Sequence, residues 1–268
     1  MGRRPVRHWL LLKTTKLSIQ WQCMAMRPTQ PSSDFVWMHR ALELAGGARG
    51  HVWPNPPVGC VLVKDGTVLA EAATHPGGRP HAERAAMEQA AKSGISTKGA
   101  TLYVTLEPCC HWGKTPPCTD AIIASGVRRV VCAIQDPDPR VNGGGFERLQ
   151  NAGIEVSVGL CASQATWVMS GFFHRVRTGA PEVLVMENTT KTIPDDVDAL
   201  LFSNDCALSL SSRTPNGAKT TPIAQSTASD LLAGLAELGL TTVAVCAQNA
   251  IAKELLATAN IQANRGAA

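Results

Sequence analysis

The sequence predicts a three-layer α/β/α sandwich with a mixed sheet over residues 34–179, followed by a smaller, partial α/β region over 180–268. Three observations lead there. Strand-sized apolar runs such as Val58–Val63 alternate with helix-length amphipathic segments. An Asp65-Gly66 turn joins the first two strands as an antiparallel hairpin. The later strands are each separated by a helix, which makes them parallel neighbours by way of crossovers.

In chain order, Ser33 is placed to cap a helix that carries Phe35, Met38, Ala41, Leu42 and Ala45 at helical spacing and stops at Gly46-Gly47. After the turn-rich Pro54-Asn55-Pro56-Pro57 comes the buried strand VGCVLV, with Val68–Ala73 as its return. HAERAAMEQAAKSG reads as a helix closed by Gly94, Leu102–Thr105 as a strand, and TPPCTDAIIASGV as a helix opening on proline and ending at Gly126. RRVVCAI is a strand, GGFERLQNAGIEVSVG a helix then a strand, and SQATWVMSGFFHRVRTG one helix stopping near Gly179. Beyond Pro181, EVLVMEN and DALLFS read as strands, SLSSRTPNGAKTTPIAQST as a polar, turn-rich stretch without periodicity, and DLLAGLAELGL, TTVAVCA and AIAKELLATAN as helix, strand, helix. With a long unstructured middle, this second region is expected to have a marginal core of its own.

Composition removes several classes. With 44% apolar and 17% charged residues the chain can bury a core, which excludes wholesale disorder. No apolar run reaches the length that crosses a bilayer. Nine cysteines in 268 residues are too sparse for a disulfide scaffold. The net charge of +4 is confined to the beginning: residues 1–33 contain six Lys and Arg and no acid, which leaves the remaining 235 at −2. A near-neutral body gives no support to a general nucleic-acid surface. The basic leader, read as disordered, has an upstream start as its preferred explanation, with Met24 or Met26 as first residue. An organellar transit peptide is the alternative, and Trp9–Leu12 is too short for a secretory core. The expected location is cytoplasmic.

The chemistry concentrates in His81-Ala82-Glu83 and in the run from Glu107 to Cys118. One imidazole (His81) and two thiolates (Cys109, Cys118) suit Zn²⁺, which favours tetrahedral N/S coordination, and three protein ligands leave one position open. Both cysteines are read as lying where helices begin, where the dipole favours thiolate. Glu83, two residues from His81 in the first helical turn, is placed to move protons beside the metal without ligating it. A closed structural site with Cys110 or His111 as fourth ligand is the competing reading, disfavoured because no paired C-x2-4-C knuckle is present. H-x-E followed by P-C is the pattern of zinc nucleobase deaminases, except that the cysteines here stand in C-x8-C spacing.

The stretches PNPPVGCVLVKDG, HAE, ATLYVTLEPCCHWGKTPPCTDAIIASGVRRVV, DPDPRVNGGG and GFFHRVRTG resemble the riboflavin-biosynthesis pyrimidine deaminases, the N-terminal half of the bifunctional deaminase-reductases. The resemblance runs from about Asp34 to Gly179. It implies a cytidine-deaminase-like fold, zinc on His81, Cys109 and Cys118, Glu83 as proton shuttle, and deamination of 2,5-diamino-6-(5-phosphoribosylamino)pyrimidin-4(3H)-one. It further implies substrate contacts from Asn55, His75, His111, Lys114 and Asp136, while Asp138 stands where asparagine is common. Residues 180–268 read as a degenerate or truncated reductase remnant, since the segments expected to contact a nicotinamide cofactor are missing; NADPH use is therefore not expected. The expected partners are a small pyrimidine ribotide, a second copy of the chain, and a separate reductase in the same pathway. The competing functions are the intact bifunctional enzyme, a different nucleobase deaminase, and a silent zinc-stapled paralogue acting as a binding partner.

Overall fold

The computed structural model describes residues 33–187, 191–204, 207–214, 217–223, 227–247 and 249–265. Helix α1 (Ser33–Ala48) turns Met38, Ala41, Leu42, Ala45 and Ala48 inward. It rests on strand β1 (Gly59–Lys64) through Gly59, where a Cβ would lie 1.8 Å from the Ala41 carbonyl oxygen. The helix overruns the stop expected at Gly46-Gly47 and turns instead at Gly50 (φ 73°). Burial of Ala45 and Ala48 outweighs the helix cost of two glycines, about 1 kcal/mol each. The cap expected from Ser33 is not seen, because Ser33 is itself the first helical residue; the preceding position lies outside the described residues.

Asp65 (φ 49°) and Gly66 (φ 74°) both take left-handed conformations, as a two-residue type I′ turn requires, and lead into β2 (Thr67–Ala73). Next come α2 (Ala82–Lys92), β3 (Thr101–Val104), α3 (Cys118–Ala124), β4 (Arg129–Cys132), α4 (Gly144–Asn151) and β5 (Glu155–Val158). The sheet order is β2-β1-β3-β4-β5, with β1 antiparallel to both neighbours and β3, β4 and β5 parallel. Five of the six β1 residues are buried, as a strand covered on both faces must be. This is the mixed-sheet sandwich read from the sequence.

The helix expected across 163–179 is two helices, α5 (Ala162–Val168) and α6 (Ser170–Thr178), broken at Met169 (φ −104°, ψ 18°). The break lets Met169 bury completely and brings Gly171 against Thr241 and Thr242. Packing outside the segment, which helical spacing does not encode, decides it.

The second region also departs from expectation. Strands β6 (Glu182–Met186), β7 (Ala199–Asn204), β8 (Ala207–Thr214), β9 (Gly217–Ile223) and β10 (Thr242–Cys246), with α7 (Ala228–Glu237) and α8 (Ala250–Arg265), build a sheet of order β6-β10-β7-β8-β9. The stretch read as unstructured is the β8–β9 antiparallel hairpin. Its serines and threonines pair across strands, as Thr220 does with Ser211, while Leu208, Leu210 and Ile223 supply its contacts with the core. Nor is the core marginal. One face packs Leu201, Leu210, Leu231, Leu232, Leu235 and Leu255, and the other packs Ile193, Val197, Leu200 and Phe202. Residues 32–268 form one compact unit.

Candidate functional site

His81 sits at the N-cap of α2 with extended backbone and no side-chain capping bond, which leaves its imidazole free to face inward. Cys118 opens α3 after Pro117, whose missing N–H costs nothing at a helix start. Cys109 does not begin a helix, contrary to expectation; it lies in the irregular segment after β3. The α3 N-terminus reaches it nonetheless, because the Cys118 N–H donates to Cys109 Sγ at 3.3 Å. The Thr119 N–H and hydroxyl hold the Cys109 carbonyl.

His81 Nδ1 stands 3.7 Å from Cys109 Sγ and 3.5 Å from Cys118 Sγ. Tetrahedral zinc with its usual bond lengths of about 2.0–2.1 Å to nitrogen and 2.3 Å to sulfur demands a nitrogen–sulfur separation of about 3.6 Å. The three donors therefore fit a zinc ion. Among the described residues no other His, Cys, Asp or Glu joins them within metal-binding distance. Cys110 turns its thiol toward the Arg140 carbonyl and does not join the cluster, and neither does His111. Hydrogen bonding with Cys118, reinforced by His81 against the opposing effect of burial, draws the Cys109 thiol down to about 4. A ligating thiolate is thus ready at neutral pH.

Glu83, 4% exposed, lies on the first turn of α2. Burial raises its carboxyl above the ordinary value, and the adjacent His81 opposes that shift. A cavity of about 410 Å³ opens beside it, lined among others by Asn55, His81, Glu83, Cys109, His111, Lys114 and Asp136. Asn55 Nδ2 donates to the Gly78 carbonyl at 2.7 Å, which fixes the amide plane and leaves Oδ1 and one N–H for a ligand. Gly78 must be glycine there: its φ is 82° and a Cβ would fall 2.0 Å from Asn55 Nδ2. His111 Nδ1 is buried without a partner, and Lys114 is on an exposed stretch of the same wall. Asp136 Oδ1 accepts from the Asp138 N–H, and burial pushes its carboxyl up to about 6.

His75 is the exception. It is exposed and borders a separate groove with Glu71, Ala85 and Glu88. Thr74 points inward to accept the Val58 N–H, while His75, the next residue and likewise beyond the end of β2, is exposed. Several residues facing the cavity were not identified from the sequence. Arg79 braces the far loop through Thr115 (2.7 Å), Arg140 pairs with Asp138, and Phe172, Arg175 and Val176 arrive from α6. Glu107 is a buried support: its carboxylate accepts the N–H groups of Asp136, Gly143, Gly145 and Phe146, which ties the Cys109 segment to the start of α4.

A buried carboxylate beside an open His/Cys/Cys cluster, on this mixed sheet, defines a zinc-binding deaminase of the cytidine-deaminase-like class. Residues 31–134 match the family model for the cytidine and deoxycytidylate deaminase zinc-binding region. The diaminohydroxyphosphoribosylamino-pyrimidine deaminase of Buchnera aphidicola is 43% identical over 149 residues, 56% of this chain and 99% of its own length. The chain belongs to that deaminase family. The riboflavin biosynthesis protein RibD of Escherichia coli is 53% identical over 150 residues, 56% of this chain, and the chain spans only 40% of that relative. A crystal structure of the Thermotoga maritima deaminase/5-amino-6-(5-phosphoribosylamino)uracil reductase superposes with a TM-score of 0.68 at 29% identity and covers 84% of each chain. That coverage is more than residues 34–179 can account for, so the likeness extends into the second sheet. No described helix is long and apolar enough to cross a membrane.

Proposed function

We propose that the protein hydrolytically deaminates 2,5-diamino-6-(5-phosphoribosylamino)pyrimidin-4(3H)-one in riboflavin biosynthesis. The observation that carries the reading is Glu83 buried in the cavity wall next to the three-donor cluster of His81, Cys109 and Cys118. Zinc held by those three residues supplies a Lewis acid that brings the pKa of water toward neutrality. Glu83 accepts the proton of the attacking water and returns protons to the ring nitrogen and the departing amine. A carbon–oxygen bond forms at the amidine carbon, the exocyclic carbon–nitrogen bond breaks, and ammonia leaves. Asn55 orients the pyrimidine edge, His111 meets the ring or ribose through its unpartnered nitrogen, Lys114 approaches the phosphate, and Asp136 closes the far wall. His75 has no part in this arrangement.

Residues 34–179 act as the deaminase domain and residues 180–268 as what remains of a reductase-like region, with the reduction supplied by another polypeptide. One zinc per chain, no use of NADPH, a homo-oligomeric state and a cytoplasmic location complete the proposal. Purified, zinc-loaded protein offered the diaminopyrimidine ribotide, cytidine and free cytosine should release ammonia from the ribotide alone. Release from the other two but not from the ribotide would overturn the substrate assignment.

A further inference from the structure

Helix α6 stands between the cavity and the second sheet. Phe172, Arg175 and Val176 line the cavity, while the same helix packs on α8 and β6. The second region sets its position. Ser170 Oγ and Glu182 Oε2 are hydrogen-bonded at 2.8 Å, and a Cβ on Gly171 would fall 1.9 Å from Thr242 Oγ1, so helix and strand meet with nothing between them. Arg175 Nη2 donates at 3.2 Å to the Ala236 carbonyl near the C-terminal end of α7, an oxygen that also accepts the Gly239 N–H at 2.9 Å. Just beyond, Gly239 (φ 87°) seats on Pro54, the neighbour of Asn55.

This guanidinium is anchored at one nitrogen and otherwise unspent. Arg175 Nε is buried without a hydrogen-bond partner, and no carboxylate pairs with Arg175 among the described residues. The other two arginines of the cavity are engaged, Arg79 with Thr115 and Arg140 with Asp138. A half-buried, uncompensated arginine facing a cavity matches an anion that offers two acceptor oxygens to the guanidinium fork, as a phosphate does.

Resting on the deaminase reading above, we propose that Arg175 is a specificity residue that binds the phosphate end of the substrate, aimed into the cavity by the carbonyl of Ala236 in the second region. The test uses the full zinc-loaded chain with Arg175→Met and Arg175→Lys. Ribose 5-phosphate is the calorimetric probe, and the ribotide and its dephosphorylated riboside are the kinetic substrates. Arg175→Met should weaken ribose 5-phosphate binding by about tenfold or more, raise KM for the ribotide by a similar factor, and lower kcat/KM for the riboside by a much smaller factor. Arg175→Lys, which keeps the charge without the fork, should fall between. If Arg175→Met loses its helical signal, Arg175→Lys carries the comparison. Ribose 5-phosphate affinity within twofold of the parent, or equal losses on both substrates, overturns the proposal. Failure of the parent to release ammonia would count against the deaminase reading alone, since the binding comparison does not depend on turnover.

Discussion

The backbone N–H of Cys118 points at the sulfur of Cys109, 3.3 Å away, so one ligand stands on the first turn of a helix whose N-terminus stabilises the other. Two sulfurs separated by eight residues thereby come together facing His81. Replacing any one of the three, as His81→Ala, Cys109→Ser or Cys118→Ser, should reduce bound zinc at least about tenfold. Far-UV circular dichroism should hardly change, because α2 and α3 are anchored by Ala86, Ala90 and Ile122 in the core. Zinc retained at one equivalent by a variant would remove that residue from the ligand set.

Glu83→Gln keeps the volume and hydrogen-bonding reach of the side chain and removes its proton-transfer capacity. Turnover should drop by about 10²–10⁴ with zinc content unaltered. Activity within a few-fold of the parent would assign the proton transfers to another group.

Four backbone N–H groups converge on the Glu107 carboxylate. Glu107→Gln presents an NH₂ to one pair of those donors and should cost about 3 kcal/mol in urea unfolding. KM should also rise, since the nest fixes Asp136 and the Cys109 segment together. A stability loss below about 0.5 kcal/mol would mean that the donors find other partners.

Burial raises the Asp136 carboxyl to about 6, against about 3.9 in an unfolded chain. The folded state therefore holds this proton more tightly. The group's contribution to stability is fully present below about pH 4 and is lost as pH rises through 6. Asp136→Asn, which can still accept the Asp138 N–H, should gain on the parent across that window by about 1–2 kcal/mol, read from melts at pH 4 and pH 7.5. A gap independent of pH would show that Asp136 titrates at its ordinary value.

The contact of α1 with β1 leaves no space at Gly59. Gly59→Ala should destabilise by about 3 kcal/mol or fail to accumulate as folded protein, since the clashing atom is backbone and cannot rotate away. A melting temperature unchanged by this substitution would place α1 differently on the sheet.

The sandwich was legible because its strands are short, apolar and punctuated by turn residues such as Asp65-Gly66, and its helices close on glycines such as Gly94 and Gly126. The metal cluster was legible for a related reason: histidine and cysteine at helix starts carry a chemistry that few other arrangements share. The β8–β9 hairpin was not, since its stability comes from backbone pairing of Ser and Thr residues with little apolar alternation. The break at Met169 was hidden too, because Gly171 answers to a strand about seventy residues later in the chain.

What the sequence alone determined was the kind of local structure and the kind of chemistry, through periodicity, capping residues and donor types, all of which act over a few neighbours. Only the tertiary structure decided which distant groups share a space. The chain just past β2 turned His75 away from the cavity while Thr74 stayed inside, and the Ala236 carbonyl of the second region anchored Arg175 beside the cavity. Such choices depend on burial and close contact between remote segments, and no spacing along the chain records them.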